Sequence, residues 1–264
     1  MVVQKKLFSS KGGKLARRRS GIGLLAPRGI APMTLQNAVK FMSQLDGRDK
    51  FLKLVQYLSR FAMWHFQQGD PKSDVANRLK LLYKGASLHR KAFRVGKWVD
   101  EYTKLTVLLK KSAVQSLSLA LTATVRVCMA LFYFFDNVVW LSTLKVLKMD
   151  TGKFKKNAAR YRFSAAAINI ILETMKFQKL QRKMRVLESK AAPADEIEDV
   201  EESLHLTTVN LVKHCCDVTT FGNSLEIWKP FLGKNLTDGP MGVFGTTSAI
   251  AAGYLIWKKK IGGK

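Results

Sequence analysis

Acid is the scarcest chemistry in this 264-residue chain. It carries 19 Asp plus Glu against 45 Lys plus Arg, a formal net charge of +26, and no acid occurs before Asp46. Such an imbalance calls for an anionic partner, either nucleic acid or an anionic membrane surface. Cysteine is nearly as rare. Cys128, Cys215 and Cys216 form an odd set with an adjacent pair, which excludes a disulfide framework and fits a reducing compartment or buried free thiols. His214, Cys215 and Cys216 suggest a metal cluster by type alone. Neighbours on a helix point about 100° apart, and no second cluster completes a tetrahedral site. Four scattered histidines, with no Ser/His/Asp or paired-carboxylate spacing, leave no catalytic constellation and no cofactor or metal site. The expectation is a protein that is not an enzyme. Six prolines and few alternating apolar runs leave little room for sheet and favour helix. No apolar h-region follows the first lysines, so no secretory signal is expected.

What is present is a series of basic amphipathic segments. The stretch Arg78 to Leu105 is the centre of the reading. Wound at 100° per residue, it places Leu81, Gly85, Leu88, Ala92, Val95 and Val99 on one stripe. Leu82, Ala86, Phe93 and Gly96 widen that stripe. Lys80, Lys84, Arg90, Lys91, Arg94 and Lys97 gather on the other side. A one-sign basic face opposite a broad apolar face suits a helix lying in an anionic membrane surface. It equally suits a core-packing helix of a bundle. Trp98 falls on the polar side and fits neither reading. A second such segment precedes it, residues 48–66, with Phe51, Leu54, Val55, Leu58, Phe61, Ala62 and His65 at helical spacing. Gly69-Asp70-Pro71 stops it, and Ser73 or Asp74 caps the next helix. The pair forms either a helical hairpin or two helices on a membrane.

The expected organisation is all-α and membrane-associated. Residues 1–33 form a flexible basic extension; its Arg- and Ser-bearing, acid-free composition also resembles a transit peptide, but its glycines break the amphipathic helix that would need. Residues 34–110 form the amphipathic surface region, with Thr34 capping a first helix through about Asp46. Residues 111–187 hold an apolar segment, Ala113 to Leu147, then a long basic helix from Asn157 to Glu188. Arg126 and Asp136 interrupt the apolar segment, so it is membrane-embedded or membrane-apposed, of open depth. Residues 188–203 form an acidic linker, and 204–264 a further helix and a transmembrane helix at about 240–257. Pro240 to Trp257 carries no charge and is followed by Lys258, Lys259 and Lys260, a basic cytosolic anchor. Gly245, Ala249 and Gly253, four residues apart, form a candidate seam for helix association in lipid.

Several stretches together resemble the peroxin-11 family. They are RDKFLKLVQYLSRFAMW, ANRLKLLYKGASLHRKAFRVGKWVDE, FYFFDNVVWLSTL, AARYRFSAAAINI and the tail from VKHCCDV to AAGYLIWKK. They run in order from about Arg48 to Lys260. The resemblance implies an integral peroxisomal membrane protein with cytosolic termini. It implies elongation of the organelle before fission, self-association, and work alongside a dynamin-related GTPase and its membrane receptor. It assigns membrane insertion to Leu79 to Leu105. The helical wheel offers the mechanism: the apolar face of Leu81, Leu82, Leu88, Ala92, Phe93, Val95 and Val99 enters one leaflet, and the basic face holds anionic lipid. Two further classes stand beside this one. A nucleic-acid binder fits the charge, but the aromatics are not interleaved with basic residues as a stacking platform, so no nucleic-acid partner is expected. A pore for small metabolites fits the intramembrane charges Arg126 and Asp136.

Overall fold

The computed structural model describes residues 32–111 and 116–262. The basic extension expected over 1–33 therefore lies almost wholly outside the described residues. The described chain is helical throughout: α1 Leu35–Ser43, α2 Leu45–Gly69, α3 Asp74–Ala92, α4 Lys97–Lys111, α5 Leu117–Thr143, α6 Thr151–Ser189, α7 Ala194–Ser224, α8 Lys229–Leu232 and α9 Asp238–Lys260.

Side-chain caps set several of the starts. The Thr34 hydroxyl accepts from the Asn37 N–H, Ser73 from Ala76, Ser116 from Leu119, and the Asp150 carboxylate from Gly152 and Lys153. The expected caps at Thr34 and Ser73 are in place. Three boundaries differ from expectation. The helix expected through Asp46 ends at Ser43, where extended Gln44 starts α2. The segment expected as one helix from Arg78 to Leu105 is two helices. Its break falls at Phe93 to Gly96, and Gly96 takes a left-handed φ of +77° that other residues rarely adopt. The acidic run expected as a linker is the first turns of α7. Pro193 stands just before them, and Asp195 and Glu196 in the first turn complement the positive end of the helix dipole.

The helices close a ring. α5 packs on α6, α6 on α7, α7 on α9, α9 on α2, α2 on α3, and α3 returns to α5; α4 lies along α5. Small residues make these contacts close. Ala158, Ala159, Ala165 and Ala166 of α6 are buried, as are Ala249, Ala251 and Ala252 of α9. Phe135 of α5 stacks on Tyr161 of α6 with centroids 5.6 Å apart.

Among the described residues, α5 is the helix long and apolar enough to cross a membrane, and 11% of its most apolar window is buried inside the chain. This moves the candidate span away from Pro240 to Trp257. α9 carries no charge over that run, but its glycine, serine and threonine content dilutes its apolar character, and its small residues pack inward.

Candidate functional site

The interior of the ring holds charged and polar side chains beside its small and apolar ones, and many large apolar side chains face outward. The buried face of α2 carries Asp49, Lys53, Gln56 and Ser59 beside Gly47 and Met63. The apolar stripe of the same helix points out, with Phe51 46% and Leu58 47% exposed. In α3, Leu81 and Leu82 are exposed while Arg90 is buried. α2 thus buries the face that an ordinary soluble bundle would show to water, whereas α5, α6 and α9 bury mostly apolar and small residues.

Two carboxylates organise the interior. Asp49 of α2 accepts from Lys50 Nζ at 2.6 Å, Arg94 Nε at 3.0 Å and Arg90 Nε at 3.2 Å. Arg94 reaches past it to Asp136 of α5 at 3.0 Å, and Arg90 donates to the Gln56 amide oxygen. Asp217 of α7 accepts from Lys53 of α2 at 2.9 Å, from Arg162 of α6 and from the Ser248 hydroxyl of α9. Ser248 in turn accepts from Lys53 at 2.6 Å. The Asp49 group ties α2, α3 and α5; the Asp217 group ties α2, α6, α7 and α9. Burial opposes ionisation of Asp217, but the charges of Lys53 and Arg162 and the Ser248 hydroxyl outweigh it. They hold the carboxyl far below the usual carboxylate range. Asp49 is likewise held well down, with Arg94, Lys50 and Arg90 overcoming its burial. Burial pushes the Lys53 ammonium down to about 8 against the attraction of Asp217.

These contacts redistribute the expected basic face. Arg90 and Arg94 face the interior, and Lys97 pairs with Asp46. Lys91 is half-buried and reaches Ser87. Lys80 and Lys84 are exposed. On the expected inserting face, Leu81, Leu82, Val95 and Val99 are exposed, and Leu88, Ala92 and Phe93 are half-buried. Trp98, on the polar side of a continuous wheel, is exposed beside Val95 and Val99 once the helix breaks. Arg126 and Asp136 do not meet. Arg126 pairs with Glu101 of α4 at 3.0 Å, and Asp136 with Arg94.

The small-residue seam is occupied within the chain. A Cβ at Gly245 would overlap the Tyr57 ring, and one at Gly242 would sit 2.6 Å from Phe61 Cβ. Ala249 is buried, whereas a Cβ at Gly253 would meet nothing within 4 Å. The stripe that fits α2 runs through Gly239, Gly242, Gly245 and Ala249, offset from the expected one. Lys258 is buried against Glu202 at 2.9 Å, while Lys259 and Lys260 are exposed.

Sequence reasoning missed Asp49, Asp217, Lys53 and Arg162 as organising residues. Their signal is the rarity of acid: Asp49 is the lone carboxylate between residues 47 and 69, and Asp217 the lone one between 203 and 224.

Residues 35–257, nearly the whole described chain, match the family of peroxisomal biogenesis factor 11 (PEX11). The chain belongs to the PEX11 family. The ordered resemblance from about Arg48 to Lys260 is thus explained by kinship over both halves of the ring. Peroxisomal membrane protein 11B of Arabidopsis thaliana is 24% identical over 230 residues, covering 85% of this chain and 97% of the relative. Peroxisomal membrane protein 11-4 of Oryza sativa is 33% identical over 114 residues, 43% of this chain and 48% of the relative. The Peroxisomal membrane protein 11 homolog of Dictyostelium discoideum is 23% identical over 253 residues, 85% of this chain and 95% of the relative. No solved structure matches the chain. Within the PEX11 family match lie all the residues of both charge groups, from Asp49 to Ser248.

Proposed function

We propose that this chain resides in the peroxisomal membrane and elongates it ahead of fission, so setting peroxisome number and size. The observation that carries the reading is the outward display of large apolar side chains around a buried charged centre. Leu81, Val95, Val99, Phe134 and Ile171 are 69%, 51%, 45%, 48% and 50% exposed, while Asp49, Asp217, Lys53 and Arg90 are buried. Water would penalise such a surface, and exposed large apolar side chains in this number fit a membrane contact. In this reading α5 crosses the bilayer. The exposed side chains of α3 and α4 enter one leaflet and expand it, and Lys80 and Lys84 lie at anionic headgroups. The chain associates with itself through a face other than Gly245 and Ala249. Its termini face the cytosol, where a dynamin-related GTPase and its membrane receptor complete fission.

Tagged full-length protein on intact peroxisomes is the test. It should resist carbonate extraction, and both terminal tags should be cut by added protease. Leu81→Asp with Val95→Asp and Val99→Asp should leave the protein on the organelle but return elongated peroxisomes to spheres. Normal elongation by that variant would refute the wedge.

A second reading, a pore for small metabolites, is favoured by the large charged cavity inside the ring. Conductance in planar bilayers that changes ion selectivity on Arg94→Gln would support it.

A further inference from the structure

The ring encloses a cavity of about 1870 Å³, walled by α2, α3, α5, α6, α7 and the end of α9. Basic side chains outnumber acids on its wall by more than two to one. The acids deepest in it are already engaged. Asp217 holds two cations, Asp49 holds three, and Asp136 shares Arg94. Positive charge is left over. Lys213 of α7 donates to the Asn210 amide oxygen at 2.8 Å, and no acid among the described residues lies within ion-pair distance of it. Burial, against the attraction of Asp217 and helped by the charges of Arg162 and Lys50, pushes its ammonium down to about 8. Lys91, on the opposite wall, reaches a serine hydroxyl, and burial lowers its pKa too. Partly buried cations with no carboxylate in direct contact are costly, and an arriving anion offsets the cost. Tyr57, Tyr83 and Tyr133 add hydroxyl groups to the same wall.

We propose that this cavity binds a phosphate-bearing anion, held by Lys50, Arg162 and Lys213 on α2, α6 and α7. A phosphate offers several charged acceptor oxygens, which suit a guanidinium fork and two ammonium groups converging from three helices. The site does not depend on elongation activity or on conduction; it rests on the cavity and its excess charge. The same phosphate chemistry arises in a soluble compound or in a lipid headgroup.

The test uses the full chain purified in detergent, and again in nanodiscs. Inorganic pyrophosphate is the soluble probe, nanodiscs containing phosphatidylinositol bisphosphate carry the headgroup, and sodium chloride at matched ionic strength is the control. At about 100 times its Kd, a bound anion should raise Tm by roughly 5–10 °C for a chain of this size. Stabilisation by pyrophosphate supports the proposal with a soluble ligand; stabilisation by the headgroup alone supports it with a lipid. Losing one charge-assisted contact through Lys213→Gln should weaken the response about tenfold, and Lys213→Arg should preserve it. Lys179→Gln with Lys183→Gln, on an exposed stretch of α6, should leave it unchanged. No stabilisation by either probe, equal stabilisation by chloride, or a wild-type response from Lys213→Gln overturns the proposal.

Discussion

Gly242→Ala tests whether α9 belongs inside the ring or is free to meet a second chain. A Cβ there would lie 2.6 Å from Phe61 Cβ and 2.7 Å from its Cα and N. Ordinary carbon contacts are about 3.5–4.0 Å, so α2 or α9 must retreat by roughly 1 Å. The obstructing atoms are mostly backbone, so no rotamer change relieves the clash. Overpacking of this kind costs about 1–3 kcal/mol, while replacing a mid-helix glycine by alanine returns up to about 1 kcal/mol. The expected net loss is about 1 kcal/mol, a fall in Tm of roughly 2–4 °C. Gly253→Ala is the internal control. Its Cβ meets nothing within 4 Å, so it should keep the propensity gain and raise Tm by about 2–4 °C. The assay is thermal unfolding in detergent, followed by tryptophan fluorescence, to which Trp64, packed against Gly239, contributes. If Gly242→Ala leaves the midpoint unchanged yet reduces crosslinked oligomers, the stripe is a seam between chains and the packing argument fails.

Asp217→Asn should destabilise by about 3–5 kcal/mol, because Lys53 and Arg162 lose their buried counter-charge; Asp238→Asn, which breaks the more exposed pair with Arg60, should cost about 0–1 kcal/mol. Equal unfolding midpoints for the two would remove Asp217 from the centre of the fold. Burial, with the charges of Lys213 and Arg162, pushes the His214 imidazole down to about 3, from 6.5 when unfolded. Between those values the unfolded chain holds the proton and the folded chain does not, so stability should fall as pH drops from about 7 towards 3. His214→Phe should flatten that slope, and a wild-type midpoint that stays level from pH 7 to 5 would contradict the assignment. Reversing Arg90, Arg94 and Lys97 to Glu should collapse the fold, since two of them pair with Asp49; a variant that unfolds like wild type but no longer binds anionic vesicles would return those residues to the membrane surface.

The all-α class, the Thr34 and Ser73 caps and the amphipathic stripe of α2 were legible without coordinates. Each depends on neighbours three or four positions apart. The family resemblance was legible for a similar reason, since it follows residue order. Which face of each helix turns inward was not. Periodicity separates an apolar side from a polar side but does not say which one the rest of the chain covers. In α2 the charged side is covered, and with it Arg90 at the end of α3, because Asp49 and Asp217, 168 positions apart in the chain, converge there once the ring closes. The same limit explains the seam: spacing picked Gly245, Ala249 and Gly253, but Phe61 and Tyr57 choose the offset stripe through Gly242 and Gly245. The break at Gly96 had a local signal in the glycine itself, yet Gly85 sits undisturbed inside α3. What separates them is tertiary: Arg94, within the turn, reaches both Asp49 and Asp136. Composition and local spacing therefore settle the elements and their chemistry. Long-range pairing of a few rare carboxylates settles which side of each element faces in.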